Sequence, residues 1–131
     1  NHPFREARVS QALENYRVLY NAMISGDWET FGEILENEAL TLHGLMMNSS
    51  PSFILLEPGS LKIIELIRGA RSMDNDLKLY FTIDAGPNLH LIYPLAQKEK
   101  VLKLISSPLW SSSYNSVIHD QIGTGSEVLA Q

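Results

Sequence analysis

The sequence predicts an α+β domain in which helices cover one face of an antiparallel sheet. Two long stretches near the N-terminus repeat apolar residues at intervals of three and four, the spacing of helices. Further on, Leu77 to Ile83 alternates with period two, and a second apolar run, Leu89 to Tyr93, follows a short turn. This is the pattern of a strand pair. Another helical stretch comes after it, so the order is helix pair, strand pair, helix.

The elements follow in chain order. From Arg5 to Ser25, Val9, Leu13, Tyr16, Tyr20 and Met23 recur at three and four, the signature of an amphipathic helix. Gly26 ends it, and Asp27 is placed to cap the next helix. Trp28, Phe31, Ile34, Leu35, Leu42, Leu45 and Met46 then carry a second helix to about Met47, making a helical hairpin. Residues Asn48 to Ser52 form a loop, and Phe53 to Leu56 is apolar but too short to assign. Pro58-Gly59 reads as a turn and Ser60 as the cap of a third helix to Arg71, with Leu61, Ile64, Ile67 and Ala70 inward. Ser72 to Asp76 is a polar turn before the strands. Pro94 ends the strand pair, and Leu95 to Ile105 is a fourth helix with Lys98, Lys100 and Lys103 on its wetter side. The serine-rich segment Ser106 to Ser113 reads as an irregular loop, Ser116 to Ile122 as a last strand, and Gly123-Thr124-Gly125-Ser126 as a turn.

Composition narrows the function classes. The 131 residues allow one domain, 1–131, which buries roughly two thirds of the unfolded surface. With 44% hydrophobic and 19% charged residues the chain has the composition of a soluble globular protein. A net charge of −5 argues against nucleic-acid binding, which needs clustered Lys and Arg. There is no cysteine, hence no disulfide, thiol nucleophile or cysteine-ligated metal. No apolar run approaches the length of a membrane span. The start is polar, carries no signal peptide and lacks an initiator Met, so a cytoplasmic piece of a longer chain is expected. His2, His90 and His119 have no metal-ligand spacing, and no metal site is expected.

The chemistry concentrates in Thr82-Ile83-Asp84-Ala85-Gly86-Pro87-Asn88. Leu77, Leu79, Phe81 and Ile83 share the core face of the strand, and Lys78, Tyr80, Thr82 and Asp84 the opposite face. Asp84 therefore stands at a strand tip, away from the core. Gly86 can take φ > 0 and leaves room for close approach, and Pro87 stiffens the turn. Taken alone, an Asp before Gly-Pro is an ordinary turn former.

Asp84-Ala85-Gly86-Pro87-Asn88 between two strands resembles the signature of the diphosphomevalonate decarboxylases, members of the superfamily of galacto-, homoserine, mevalonate and phosphomevalonate (GHMP) kinases. The similarity extends upstream through Ala39 to Ile64. It implies a ferredoxin-like C-terminal domain whose first strand would precede Asn1, leaving three of four strands here. In this family ATP phosphorylates a tertiary hydroxyl, and phosphate and carbon dioxide then leave to give an alkene. The resemblance implies that Asp84 is the catalytic carboxylate and that Gly86, Asn88 and His43 lie at the substrate site. Structural roles in the turn are expected to outweigh contact at Gly86 and Asn88, and a satisfied boundary histidine is the ordinary state of His43. ATP and Mg2+ would be held mainly by an N-terminal domain, since no phosphate-cradling loop is present. The partners so implied are a small phosphorylated substrate and that N-terminal domain, with a homodimer allowed and neither nucleic acid nor membrane. The sequence departs from the family at Ala39-Leu40, where many members have Ser-Asn. That departure leaves room for a sister enzyme acting on a mevalonate monophosphate or another small alcohol. A non-catalytic binding or dimerisation module is a third alternative.

Overall fold

The computed structural model describes residues 2–123. The expected turn at 123–126 and the tail after it reach outside those residues. Helix α1 (Arg5–Ser25) ends where Gly26 adopts φ 73°, a left-handed conformation that favours glycine. Helix α2 (Trp28–Met47) begins at once, capped by Asp27, whose carboxylate accepts the Thr30 amide at 3.1 Å. Helix α3 (Pro58–Met73) starts two residues before the expected cap. Glu57 is its N-cap and Pro58 opens its first turn, where a missing N–H is harmless. Ser60 lies one turn inside, and its Oγ accepts the Glu57 amide at 3.3 Å.

The sheet is an antiparallel ribbon of β1 (Tyr80–Ile83) and β2 (Leu89–Ile92), with Thr82 opposite His90 and Ile83 opposite Leu89. It is shorter than the alternation predicts. Residues 77–79 lie outside the strand, because β2 stops opposite Tyr80 and Pro94 follows soon after. The Lys78 amide instead donates to Gln97 Oε1 at 2.8 Å, and Gln97 Nε2 donates to the Asp76 carbonyl at 2.8 Å. The expected fourth helix divides into a 3-10 turn, Leu95–Gln97, and helix α4 (Lys98–Ile105). Within the serine-rich segment a short helix α5 (Pro108–Ser111) forms because Trp110 is drawn into the core.

The described residues contain two strands rather than the three expected. Residues 116–122 take no regular secondary structure and pair with no strand, and Ile118 and Ile122 lie almost fully in solvent. A strand is held by its neighbour's backbone groups, and β-favouring residues alone do not make one.

One core joins α3, β1, α4 and α5 through Ile63, Ile64, Ile67, Leu77, Leu79, Phe81, Ile83, Val101, Ile105 and Trp110. Ile63 is buried in it, whereas Leu61, expected inward, is exposed. The helical hairpin joins this core in an unexpected way. The buried residues of α2 are Gly32, Glu36, Ala39 and His43, while its large apolar residues lie to either side at partly buried or exposed positions. This small and polar stripe lets α2 run close along β1. Tyr80, expected to face away from the core, is buried where its ring covers Gly32, and a Cβ at position 32 would run into that ring. Helix α1 is bonded to α2 by polar side chains, and its one buried residue is Ala22. Arg8 and Asn15 donate to the Glu38 carboxylate, and Gln11 donates to Asn37. Its apolar stripe points outward, the reverse of what an amphipathic surface helix is expected to do.

Gly32→Ala is expected to lower stability by roughly 1–3 kcal/mol, because the added methyl overpacks a rigid contact. Urea denaturation measures the loss. Combining it with Tyr80→Leu should recover part of it relative to the sum of the two single changes.

Candidate functional site

The site is built around the end of β1, and each end of that strand is fastened to a helix. At its start, Arg71 of α3 donates to the Leu79 carbonyl at 2.9 Å and binds both carboxylate oxygens of buried Glu36 on α2. The guanidinium also lies 4.8 Å from the centre of the Tyr80 ring. The bonds to Glu36 hold the Arg71 pKa above its ordinary value, and burial pushes the Tyr80 phenol up. At the far end, His43 of α2 lies beneath the turn and is only 1% exposed. Its Nε2 is 2.9 Å from the Asp84 carbonyl oxygen. A carbonyl can only accept, so Nε2 carries the proton. The Gly86 amide donates to the same oxygen at 2.8 Å, and Ser60 of α3 donates through Oγ to the Pro87 carbonyl at 2.6 Å. Two buried side chains thus hold the turn by its backbone from below.

The Asp84 side chain projects from the fold. It is 92% exposed at the tip of the ribbon, on the side away from the core, as the alternation predicts. Gly86 does not take φ > 0, since Gly26 alone does so among the described residues. A Cβ on Gly86 would meet nothing within 4 Å, so the turn stays open to close approach from outside. Asn88 is exposed, and its side chain has no hydrogen-bond partner among the described residues. The structure therefore brings Asp84, Gly86 and Asn88 together on one surface and places His43 under it, out of reach of anything bound above.

Two neighbours escaped the sequence reading. His90, given no role there, stands across the ribbon with Nε2 3.7 Å from Asp84 Oδ2. The signal was the hairpin register: with Thr82 opposite His90, Asp84 and His90 are diagonal neighbours on one face. Ser60 was taken for a cap alone, and nothing local in the sequence reveals its bond to Pro87. Two shallow, open hollows lie elsewhere, one on α1 and one of about 310 Å³ between the start of α1 and the end of α2. No group of three or more His, Asp or Glu able to hold a metal ion occurs among the described residues, and no helix there is long and apolar enough to cross a membrane.

Helices laid on an antiparallel ribbon, with Asp-Ala-Gly-Pro-Asn at its tip, define a C-terminal domain of the GHMP kinase fold. The family model for the mevalonate 5-diphosphate decarboxylase C-terminal domain matches residues 3–129, and the chain belongs to that family. The diphosphomevalonate decarboxylase of Candida albicans is 24% identical over 133 residues, covering 90% of this chain and 36% of that protein. A mevalonate diphosphate decarboxylase structure from Legionella pneumophila is 31% identical with a TM-score of 0.73, covering 79% of this chain and 33% of that one. The structure of MDDEF in complex with MVAPP, AMPPCP and magnesium is 28% identical with a TM-score of 0.74, covering 80% of this chain and 32% of that one. The chain thus spans about a third of the length of these three proteins.

The supports beneath the turn predict distinct losses. His43→Ala removes a buried ring and leaves the Asp84 carbonyl short of a donor, a loss of roughly 2–4 kcal/mol. Ser60→Ala is expected to lose about 1 kcal/mol. In both proteins the Gly86 amide should exchange hydrogen faster, while amides in the middle of α3 keep their protection relative to global stability. Unchanged exchange at Gly86 in both proteins would show that neither side chain holds the turn.

Proposed function

We propose that this chain is the C-terminal lobe of an ATP-dependent decarboxylase that converts mevalonate 5-diphosphate to isopentenyl diphosphate, with Asp84 as its catalytic carboxylate. The observation that carries the proposal is the separation of roles at Asp84. Its backbone is locked by His43 and Gly86, and its carboxylate is presented, exposed, at the surface where a second lobe would close. A tertiary alcohol is a weak nucleophile. A carboxylate fixed beside it accepts or orients the hydroxyl proton as the oxygen–phosphorus bond forms. When phosphate later departs with its bonding electrons, an ionised Asp84 stabilises the positive charge growing at carbon. Loss of carbon dioxide then supplies the electron pair of the alkene.

Gly86 leaves space for the substrate to approach the turn, and Asn88 offers a free amide at its edge. His43 acts through the backbone rather than on the substrate. This chain offers ATP and Mg2+ no cradle and no cluster of metal ligands among the described residues, so we assign both to the other lobe. The small phosphorylated substrate, the N-terminal lobe and a second copy of the chain are the partners this function requires or allows. We place the enzyme in the cytoplasm, where its soluble phosphorylated substrate would be available.

A second reading rests on Ala39-Leu40, since Ala39 is buried against the core and offers no hydroxyl to a substrate diphosphate. A sister enzyme taking the monophosphate would show it as the preferred substrate in direct competition.

In the full-length protein, Asp84→Asn should reduce kcat by on the order of 10²–10⁴-fold, with little change in thermal stability. Coupled assays of phosphate release and alkene formation measure the loss, and turnover like that of the unaltered protein would refute the assignment.

A further inference from the structure

The reaction proposed above asks two different things of one carboxylate. While the oxygen–phosphorus bond forms, Asp84 takes the proton of the tertiary hydroxyl. When phosphate departs, Asp84 must be ionised again to stabilise the charge growing at carbon. A proton has to leave Asp84 between the two steps. Closure of a second lobe expels water from the site, so bulk solvent is not the immediate acceptor. A basic side chain within reach of the carboxylate is required.

The hairpin supplies one. Thr82 is paired with His90, and Asp84 lies two residues past Thr82, so Asp84 and His90 are diagonal neighbours on one face of the ribbon. His90 Nε2 stands 3.7 Å from Asp84 Oδ2. Among the described residues, no nitrogen of another His, Lys or Arg lies within 4 Å of that carboxylate. The separation is longer than a hydrogen bond. It suits a carboxylate facing the bare nitrogen of a neutral ring, since neither group then has a proton to share. Both side chains are exposed, so packing does not pin them and the carboxyl can turn about its Cβ–Cγ bond. His43, the other histidine at this turn, cannot serve. It is buried, and its Nε2 proton is held by the Asp84 carbonyl.

We propose that His90 is the proton acceptor that returns Asp84 to its ionised form between phosphoryl transfer and phosphate departure, an inference that rests on the catalytic role proposed for Asp84. The protonated carboxyl turns toward the ring, its O–H bond breaks, and an N–H bond forms at Nε2. Imidazole is the stronger base of the two kinds of group, so the proton moves downhill. The imidazolium then gives its Nδ1 proton to water on the exposed side of the ring, a transfer that imidazole makes readily near neutral pH. The net change is one proton moved from the substrate hydroxyl to solvent. Exchange with water restores the starting tautomer before the next turnover.

The test uses the full-length protein in single-turnover rapid quench with ATP and mevalonate 5-diphosphate. ADP reports the first step, and inorganic phosphate and alkene report the second. In His90→Ala, alkene formation should fall roughly 10²-fold. It should lag behind ADP, so that phosphorylated intermediate accumulates. Added imidazole should restore alkene formation in proportion to its concentration. His90→Gln keeps a polar side chain that cannot take up a proton, and should be as slow as His90→Ala. Alkene formation at the unaltered rate in either variant, equal losses in both steps, or no rescue by imidazole would overturn the proposal. If His90→Ala fails to fold, His90→Gln decides by the lag between ADP and alkene. Asp84→Asn, run alongside, separates the two readings. If it is inactive while the His90 variants are unimpaired, the relay alone falls, and if it turns over normally the catalytic assignment and the relay fall together.

Discussion

The structure depends on how β1 is held. A two-stranded ribbon is marginal in water, and four paired residues per strand cannot define a rigid platform alone. Buried polar side chains from two helices supply what further strands would otherwise provide. Arg71, fixed by Glu36, takes the carbonyl at the start of the strand, and His43 takes the one just past its end. Such groups are expensive to bury unless fully partnered, and here their partners are each other and the backbone. The small stripe of α2 follows from the same requirement. Gly32 admits the Tyr80 ring, Ala39 fits against the core, and Glu36 and His43 carry the polar contacts.

This arrangement explains what the sequence made legible. Helices α1 and α2, the break at Gly26 and the cap at Asp27 are written locally, in spacing and in turn residues. So is the strand pair, and so is the outward side of Asp84. Periodicity identifies a helix, however, without saying which side meets the fold. On α1 the repeating residues are apolar and lie outside. On α2 the buried row is Gly, Glu, Ala and His, residues that no hydrophobic count would select. The bonds from His43 to Asp84 and from Ser60 to Pro87 join positions far apart in the chain, so no local pattern could reveal them. The last expected strand failed for a related reason: Ser116 to Ile122 has suitable residues but no neighbouring strand to bond.

The candidate site inherits its rigidity from this frame. The turn between the strands is short, and its carbonyls at Asp84 and Pro87 are anchored on α2 and α3. The role proposed for Asp84 would give that rigidity a purpose, since a carboxylate acting on a poor nucleophile must be held in register with it. His90 across the ribbon adds a titratable neighbour on the exposed side, while the buried side offers only fixed donors.

At Asp84, the atom that the scaffold binds is not one of those proposed to do chemistry. The carbonyl oxygen is bound by the scaffold and the carboxylate is not, so a new side chain at this position leaves the anchoring bonds in place. Evolution could therefore try other functional groups there with little penalty to folding. A superfamily can diversify its reactions most cheaply at a position like this, where the backbone is conscripted and the side chain is left at liberty.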